Sequence, residues 1–478
     1  MSPFDKAQYD ALAKGLEIGE VTLKELVARW DAEFYTGKFA RYCRLMKLRG
    51  CTNFGQEAKK VVKGAFDITA DQYRSSGVPF VRIANLGGMK VDSSELAYID
   101  EETHAQYLAS ELHRGDILLS KTAYAAASIV TMDKCNSSQD TIAISLKSGS
   151  VLDPYYTVVY LNTVYGLFLM GHLFTGNIQS HFNLPDYKEK LLIPVFSGRF
   201  QSKIREWFEK ALEAEEKAKK LYRDAEQQLL SELGFADWKP NDETISVKKF
   251  SDSITAGRFD AEYFQPKYDE LFALLGKCAT RPLGGRQGLV EIRRSMEPGS
   301  DVYSEEGIPF VRITDFSEMG IAPPEIHVPP GICLDSPRPK KDTILLSKDG
   351  SVGIAYKVEE DLDVVTSGGI LHLTVKDKAV LPDYLTLVLN SRIVRMQAER
   401  DAGGSIIQHW KPSEIERVRI PLLPLTQQQE LAAKVQSSFA LRAESKRLLD
   451  LAKHVVETAI EQGEEKAIFQ LHIHSTSK

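Results

Sequence analysis

The chain contains a long-range copy of itself, and this constrains its fold more than any local motif. Arg29-Trp30-Asp31-Ala32-Glu33-Phe34-Tyr35 returns as Arg258-Phe259-Asp260-Ala261-Glu262-Tyr263-Phe264, an offset of 229. Val78-Pro79-Phe80-Val81-Arg82-Ile83 returns as Ile308-Pro309-Phe310-Val311-Arg312-Ile313, an offset of 230. Ile117-Leu118-Leu119-Ser120-Lys121 returns as Ile344-Leu345-Leu346-Ser347-Lys348, an offset of 227. Leu161-Asn162 with Leu389-Asn390, His181-Phe182 with His409-Trp410, and Ile193-Pro194 with Ile420-Pro421 follow in the same order. Such a period is far beyond the roughly 20–50 residues of a solenoid, so a whole module is duplicated. An internal pseudo-two-fold is expected, and it matters most opposite a partner that is itself nearly two-fold, as a DNA duplex is.

At 478 residues the length prior is about three domains, and the duplication favours two large ones. Hydrophobic content of 43% and charged content of 26% are those of a globular protein. No apolar run is long enough for a membrane span, and Met1-Ser2-Pro3-Phe4-Asp5-Lys6 lacks a secretory pattern. Cys43, Cys51, Cys135, Cys278 and Cys333 are odd in number and never form CxxC. That predicts free thiols in a reducing, cytoplasmic setting and no cysteine metal site.

The net charge of −6 does not exclude a nucleic-acid partner, because charge distribution sets a binding face. Arg41, Arg44, Lys47, Arg49, Lys59, Lys60 and Lys63 fall within 23 residues, opposed only by Glu57. Arg281, Arg286, Arg293 and Arg294 form a second cluster, and Arg338, Lys340 and Lys341 a third. A solvated surface is the competing account of any one of them.

Each copy has two parts. The first is mixed. Segments 78–83, 117–120, 141–146 and 370–375 have the Val/Ile/Leu/Thr content of strands, and 154–169 and 382–398 open on proline as helices do. The second part is a long helix. Residues 201–233 contain no Pro or Gly, and Ile204, Phe208, Ala211, Ala218, Tyr222, Ala225 and Leu229 form a 4-3 stripe before Gly234, a helix-stopping glycine. The counterpart runs from Thr426 to Gln462 before Gly463. Its stripe includes Leu431, Val435, Leu449, Ala452, Val456 and Ala459, weakened in the middle by Ser438, Arg442 and Ser445. A 33-residue helix spans about 50 Å, too long to bury its stripe on one domain, so the two helices are expected to pair, with Ala218 and Arg447 at matched levels. Residues 241–250 link the halves. His472 and His474 near the end of the tail are a weak metal signal.

Catalytic motifs are scarce. Asp153-Pro154-Tyr155-Tyr156 resembles the Asp-Pro-Pro-Tyr signature of amino-methyltransferases, but lacks the second proline and a preceding Gly-rich cofactor loop. Its counterpart, Pro382-Asp383-Tyr384, simply opens a helix. GxxxxGK[ST] and HExxH are absent. Glu57-Ala58-Lys59 and Asp186-Tyr187-Lys188 have nuclease-like spacing but are not repeated. Asp349-Gly350-Ser351-Val352-Gly353 departs from a nucleophile elbow at its first position. No catalytic or metal-binding residue is expected.

What remains is recognition. Arg82 and Arg312 recur at matching places, as do Ser120-Lys121 and Ser347-Lys348. Arg and Lys suit phosphates and guanine edges, and Ser suits phosphates. The DNA-binding candidates are Arg41, Arg44, Lys47, Arg49, Arg82, Lys121, Arg293, Arg294, Arg312 and Lys348. The competing account is that the repeated residues are scaffold, with Arg82 and Arg312 in structural ion pairs.

The chain resembles the specificity (S) subunits of type I restriction-modification systems. The resemblance rests on Leu381-Pro382-Asp383-Tyr384-Leu385 through Leu389-Asn390-Ser391, on Gly403-Gly404-Ser405-Ile406-Ile407-Gln408, and on Ile420-Pro421-Leu422-Leu423-Pro424-Leu425-Thr426-Gln427-Gln428-Gln429-Glu430. Asp342–Lys357 is similar to that family's strand–turn pattern. The resemblance spans 29–468. In the first copy, Thr122-Ala123-Tyr124 and Phe196-Ser197-Gly198-Arg199 depart from it.

The resemblance implies a mixed α/β fold: two tandem target recognition domains (29–197 and 241–424) and two long antiparallel helices (198–240 and 425–470), flanked by segments 1–28 and 471–478. Each domain would read half of a split DNA site. Two modification subunits carrying S-adenosylmethionine would dock on the helices and methylate adenine, and a motor-nuclease subunit could join. The chain itself would hold no cofactor and catalyse nothing. The alternatives are an S-like subunit of another methylation-linked phage-defence system, and an enzyme, either a DNA methyltransferase or a nuclease with an unusual site. No residue code gives the DNA sequence or the spacer length.

Overall fold

The computed structural model describes residues 36–175, 181–182, 184–332, 335–403 and 408–469. The first copy of the Arg29–Tyr35 repeat, Cys333, Gly404–Ile407, and the tail with His472 and His474 lie outside the described residues. The chain divides into two compact units, Met1–Glu213 with Glu444–Lys478, and Ala214–Ala443.

The first unit holds a four-stranded antiparallel sheet in the order Ala58–Lys63, Thr141–Leu146, Ile117–Ser120, Ala127–Ile129. A three-stranded sheet follows the order Ala97–Ile99, Val78–Val81, Asn136–Ser137. Its middle strand runs antiparallel to the first and parallel to the last. The second unit repeats both. Val290–Arg294, Ile370–Val375, Ile344–Ser347 and Ala355–Lys357 form the larger sheet, and His327–Val328, Ile308–Val311 and Val365–Thr366 the smaller, with the same strand senses. Registers match too: Ile117 lies opposite Ile144, and Ile344 opposite Leu373. The repeated Ile-Leu-Leu-Ser strand is central and fully buried in each unit, as its unbroken apolar run requires.

The helices expected over 154–169 and 382–398 each break in two, into Pro154–Leu161 and Val164–His172, and into Pro382–Asn390 and Arg392–Asp401. The break follows the repeated asparagine. Asn162 donates to the Ala127 carbonyl at 2.8 Å. Asn390 donates to the Ala355 carbonyl and accepts from the Ala355 amide, both at 2.8 Å. Each asparagine thereby fastens its helix to the edge strand. Extended backbone at Thr163 and Ser391 then redirects the chain into the next helix.

The long helices span Gly198–Glu232 and Leu425–Gln462, ending before Gly234 (φ 76°) and Gly463 (φ 95°), where a left-handed backbone favours glycine. In the first unit, Phe200, Ile204, Phe208 and Ala211 share a core with Leu448, Ala452, Val456 and Ala459. In the second, Tyr222, Ala225 and Leu229 share one with Leu431 and Val435. The pairing is antiparallel. Ser445 donates to the Ala211 carbonyl at 2.8 Å in the first unit, and Ser438 to the Ala218 carbonyl at 2.7 Å in the second. The level of Ala218 is therefore Ser438, not Arg447. The stripe fixes the rotational phase of each helix, while these hydroxyl bonds fix the axial register. The serines that interrupt the stripe are buried and satisfied. Arg442 between them is half-buried, and burial pushes its guanidinium pKa down.

Candidate nucleic-acid interface

Much of what the two copies share builds scaffold. Ser120 and Ser347 are fully buried at the ends of equivalent strands. Each hydroxyl closes the following turn, accepting from the amides of Ala126 and Ile354 at 2.9 Å and donating to the carbonyls of Tyr124 and Ser351. They are thus committed to the turns and not free for phosphates. Tyr156 and Tyr384 donate to the Pro194 and Pro421 carbonyls at 2.9 and 2.8 Å, the same bond in each copy. Gln201 and Gln428 sit in the first turn of each long helix. Gln201 accepts from the Asp153 amide and donates to the Val151 and Phe196 carbonyls. Gln428 makes the same three bonds to Leu381, Ala379 and Leu423.

The repeated arginines open equivalent short turns. Arg312 forms a bidentate pair with Asp315, both bonds at 3.1 Å. Burial pushes the Asp315 carboxyl up, but Arg312 holds it below its usual range. Arg82 donates to the Glu95 carbonyl at 3.1 Å and lies over the Tyr73 ring. Lys121 donates to the Gln139 carbonyl at 3.3 Å. Lys348 pairs with Asp349, which also accepts from His409 at 2.8 Å. Burial pushes Asp349 up, and these two cationic or donating partners more than reverse it. Trp410 beside them is core, 1% exposed, whereas His409 is exposed.

The unrepeated basic residues are more available. On the helix Gly37–Arg49, Arg41, Arg44 and Lys47 are exposed. Arg49 instead donates to the Ile460 and Glu461 carbonyls at 2.8 and 2.9 Å, capping the second long helix. On the edge strands Ala58–Lys63 and Val290–Arg294, Lys63 and Arg294 occupy equivalent exposed positions, opposite Ile142 and Leu371. Arg293 pairs with Glu291 at 3.0 Å, and Arg281 with Asp377 at 2.9 Å.

The structure brings Arg293 of the second basic cluster together with Arg338, Lys340 and Lys341 of the third, around a cleft of about 340 Å³. A cleft of about 810 Å³ in the first unit is lined by Arg114, Lys147 and Arg205 among others. Arg114, Lys147 and Arg205 were not among the sequence candidates. The available signal was alignment of the copies, since Arg114 and Lys341 each stand three residues before the repeated Ile-Leu-Leu-Ser strand.

The catalytic look-alikes serve the fold. Asp153 caps the helix Pro154–Leu161, accepting from the Tyr155 and Tyr156 amides at 2.9 and 3.1 Å, and pairs with Arg205. Glu57 is buried and accepts from Thr52, Ser150 and the Val151 amide. Asp186 pairs with Lys190. Gly350 (φ 65°) and Gly353 (φ 85°) shape the turn between the strands Ile344–Ser347 and Ala355–Lys357. Among the described residues, no group of three or more His, Cys, Asp or Glu could hold a metal ion.

Residues 288–450 match the family model described as the type I restriction modification DNA specificity domain. No curated protein matches the chain. The chain is similar to the crystal structure of a type I restriction-modification system S subunit from M. genitalium, with 15% identity, a TM-score of 0.42, and coverage of 86% of this chain and 94% of that one. It is also similar to a chain in a structure of a type I R-M system (16% identity, TM-score 0.29, coverage 87% and 98%). A further match is the HsdS subunit from Thermoanaerobacter tengcongensis (16% identity, TM-score 0.28, coverage 87% and 97%).

Proposed function

We propose that this chain, whose residues 288–450 match the type I restriction modification DNA specificity domain, is a non-catalytic DNA specificity subunit that reads a bipartite DNA site. The observation that carries this is the duplication at the level of topology: the first unit has the strand order and register of the second, where the family match lies. One recognition domain, 29–197, would read one half-site, and the other, 241–424, the second. The helices within 198–240 and 425–470 would set the distance between half-sites and dock two modification subunits, which supply S-adenosylmethionine and methylate adenine. A motor-nuclease subunit could join that complex. Arg41, Arg44, Lys47, Arg293 and Arg294 are side chains suited to phosphates, and Arg82, Lys121, Arg312 and Lys348 lie beside turns where bases could be read. Among the described residues no helix is long and apolar enough to cross a membrane.

Methylome sequencing of cells expressing the chain with its modification partner tests this. The expected motif is two short half-sites separated by a fixed unread spacer. Inserting one heptad into each long helix, after Ala218 and at the matched level beside Ser438, keeps the stripe in phase. At about 1.5 Å per residue the insertion adds about 10 Å, roughly three base pairs at about 3.4 Å each. The spacer should lengthen by that amount with both half-sites unchanged. A contiguous motif, or a constant spacer while methylation persists, would overturn the reading.

A further inference from the structure

We infer that each module carries, at the same point of its duplicated sheet, a cleft that takes the phosphodiester backbone of DNA. The inference rests on the proposed reading of DNA half-sites and gives that reading a place. In the second unit the cleft is walled by Arg293, Arg338, Lys340 and Lys341. In the first it is walled by Arg114, Lys147 and Arg205. The two sites are equivalent. Arg114 and Lys341 precede the same strand, Leu146 and Val375 end the strand paired with it, and Pro154 and Pro382 open the following helix.

Duplication accounts for two clefts, but not for both being basic on a chain of net charge −6. Four cations face Glu291 and Asp342 in one, and three face Asp116 and Asp153 in the other. Arg114 and Lys341 share a position, but other cleft cations stand where the other copy has none. Arg293 lies opposite His372, and the equivalent Val62 lies opposite Ala143. Arg205 follows Gln201 by four residues, and Ala432 follows Gln428 by four. Positive charge has been kept in both clefts although part of it comes from positions that are not basic in the other copy. That points to a demand on the cleft's electrostatics rather than on its packing.

In the second cleft the cations are also able to exchange partners. Arg338 pairs with Asp363 at 3.2 Å, and Asp363 is 91% exposed. Lys340 pairs with exposed Asp361 and Arg293 with exposed Glu291. Such surface pairs are weak and screened, so a phosphate can displace the carboxylates. Arg338 Nη1 is buried without an acceptor, and Lys341 Nζ has none among the described residues. A buried guanidinium N–H lacking an acceptor, beside an exposed ammonium, suits a phosphate oxygen. Backbone contacts of this kind position the duplex without reading sequence.

The test uses the intact complex of the chain with its modification partner. The variants are the triple Arg338→Gln/Lys340→Gln/Lys341→Gln and, as a check against misfolding, Lys341→Gln alone. DNA affinity is measured against salt concentration. Each lost phosphate contact should flatten the slope of log K on log salt by about 0.9, so the triple variant flattens it by roughly two to three units and the single by about one. The methylated sequence stays the same. If the wild-type complex shows no salt-dependent DNA binding, the reading of DNA half-sites itself fails. If wild type binds and both variants keep its slope, the cleft assignment is overturned while that reading stands. Loss of a modification subunit by native mass spectrometry with an unchanged slope would also overturn it, in favour of a protein-docking cleft.

Discussion

Gln428→Leu tests whether the shared glutamine locks each module to its long helix. Gln428 is fully buried. Its Oε1 accepts from the Leu381 amide at 3.0 Å, and its Nε2 donates to the Ala379 and Leu423 carbonyls, both at 2.9 Å. The bonds join three pieces: the loop before the helix Pro382–Asn390, the exit of the last strand, and the first turn of the long helix. Leucine fills similar space and can make none of them. At about 1 kcal/mol of net stability per bond, the loss is about 3 kcal/mol. Gln201→Leu should cost the first unit as much, since its three bonds measure 2.8, 2.9 and 2.9 Å. Urea unfolding of the intact chain, followed by tryptophan fluorescence, gives the measurement. Trp207 lies in the core of the first unit and Trp410 in that of the second. Losses below about 1 kcal/mol for both variants would show that the helix entry is held by apolar packing and that the glutamine bonds are incidental.

The basic helix separates two kinds of arginine: Arg41→Gln/Arg44→Gln/Lys47→Gln should flatten the salt dependence of DNA binding by the complex by about 0.9 per phosphate contact, while Arg49→Gln should leave it unchanged and lower stability by on the order of 1 kcal/mol, as loss of a cation at a helix C-terminus does. An altered salt slope in Arg49→Gln would refute that division. His372 makes a pH prediction: burial lowers its pKa from 6.5 to about 4, so between these values the unfolded chain binds the extra proton and stability falls as pH drops, by up to about 3 kcal/mol. His372→Leu should remove that part of the slope, and identical pH profiles for variant and wild type would show that the imidazole is not the group responsible.

The architecture was legible because duplication is written in the primary sequence and because helix ends carry local signals. Gly234 and Gly463 stop the long helices where the sequence places the stops. The helix breaks at Asn162 and Asn390 were not legible, since the asparagines' partners, Ala127 and Ala355, are 35 residues away in sequence. Arg49 reads locally as one more member of a basic run, and only the fold brings it to carbonyls more than 400 residues on. Arg312 is the opposite case, because its partner Asp315 is three residues along the same turn. The Ala218–Ser438 level escaped the heptad argument because periodicity gives phase and not axial position. The cleft cations are scattered along the sequence because only the fold brings them together, and Arg114, Lys147 and Arg205 belonged to no sequence cluster.

The division of each long helix between the two units has a consequence for synthesis on the ribosome. The first unit's core includes Leu448, Ala452, Val455, Val456, Ala459 and Ile460, while residues 214–443 belong to the other unit. The apolar face formed by Phe200, Ile204 and Phe208 is therefore translated long before the residues that cover it. Bacterial-to-eukaryotic elongation rates of about 5–20 residues per second put roughly ten to fifty seconds between them. Nascent chains therefore carry an open hydrophobic seam through the whole translation of the second module, and the domain begun first is the last to close.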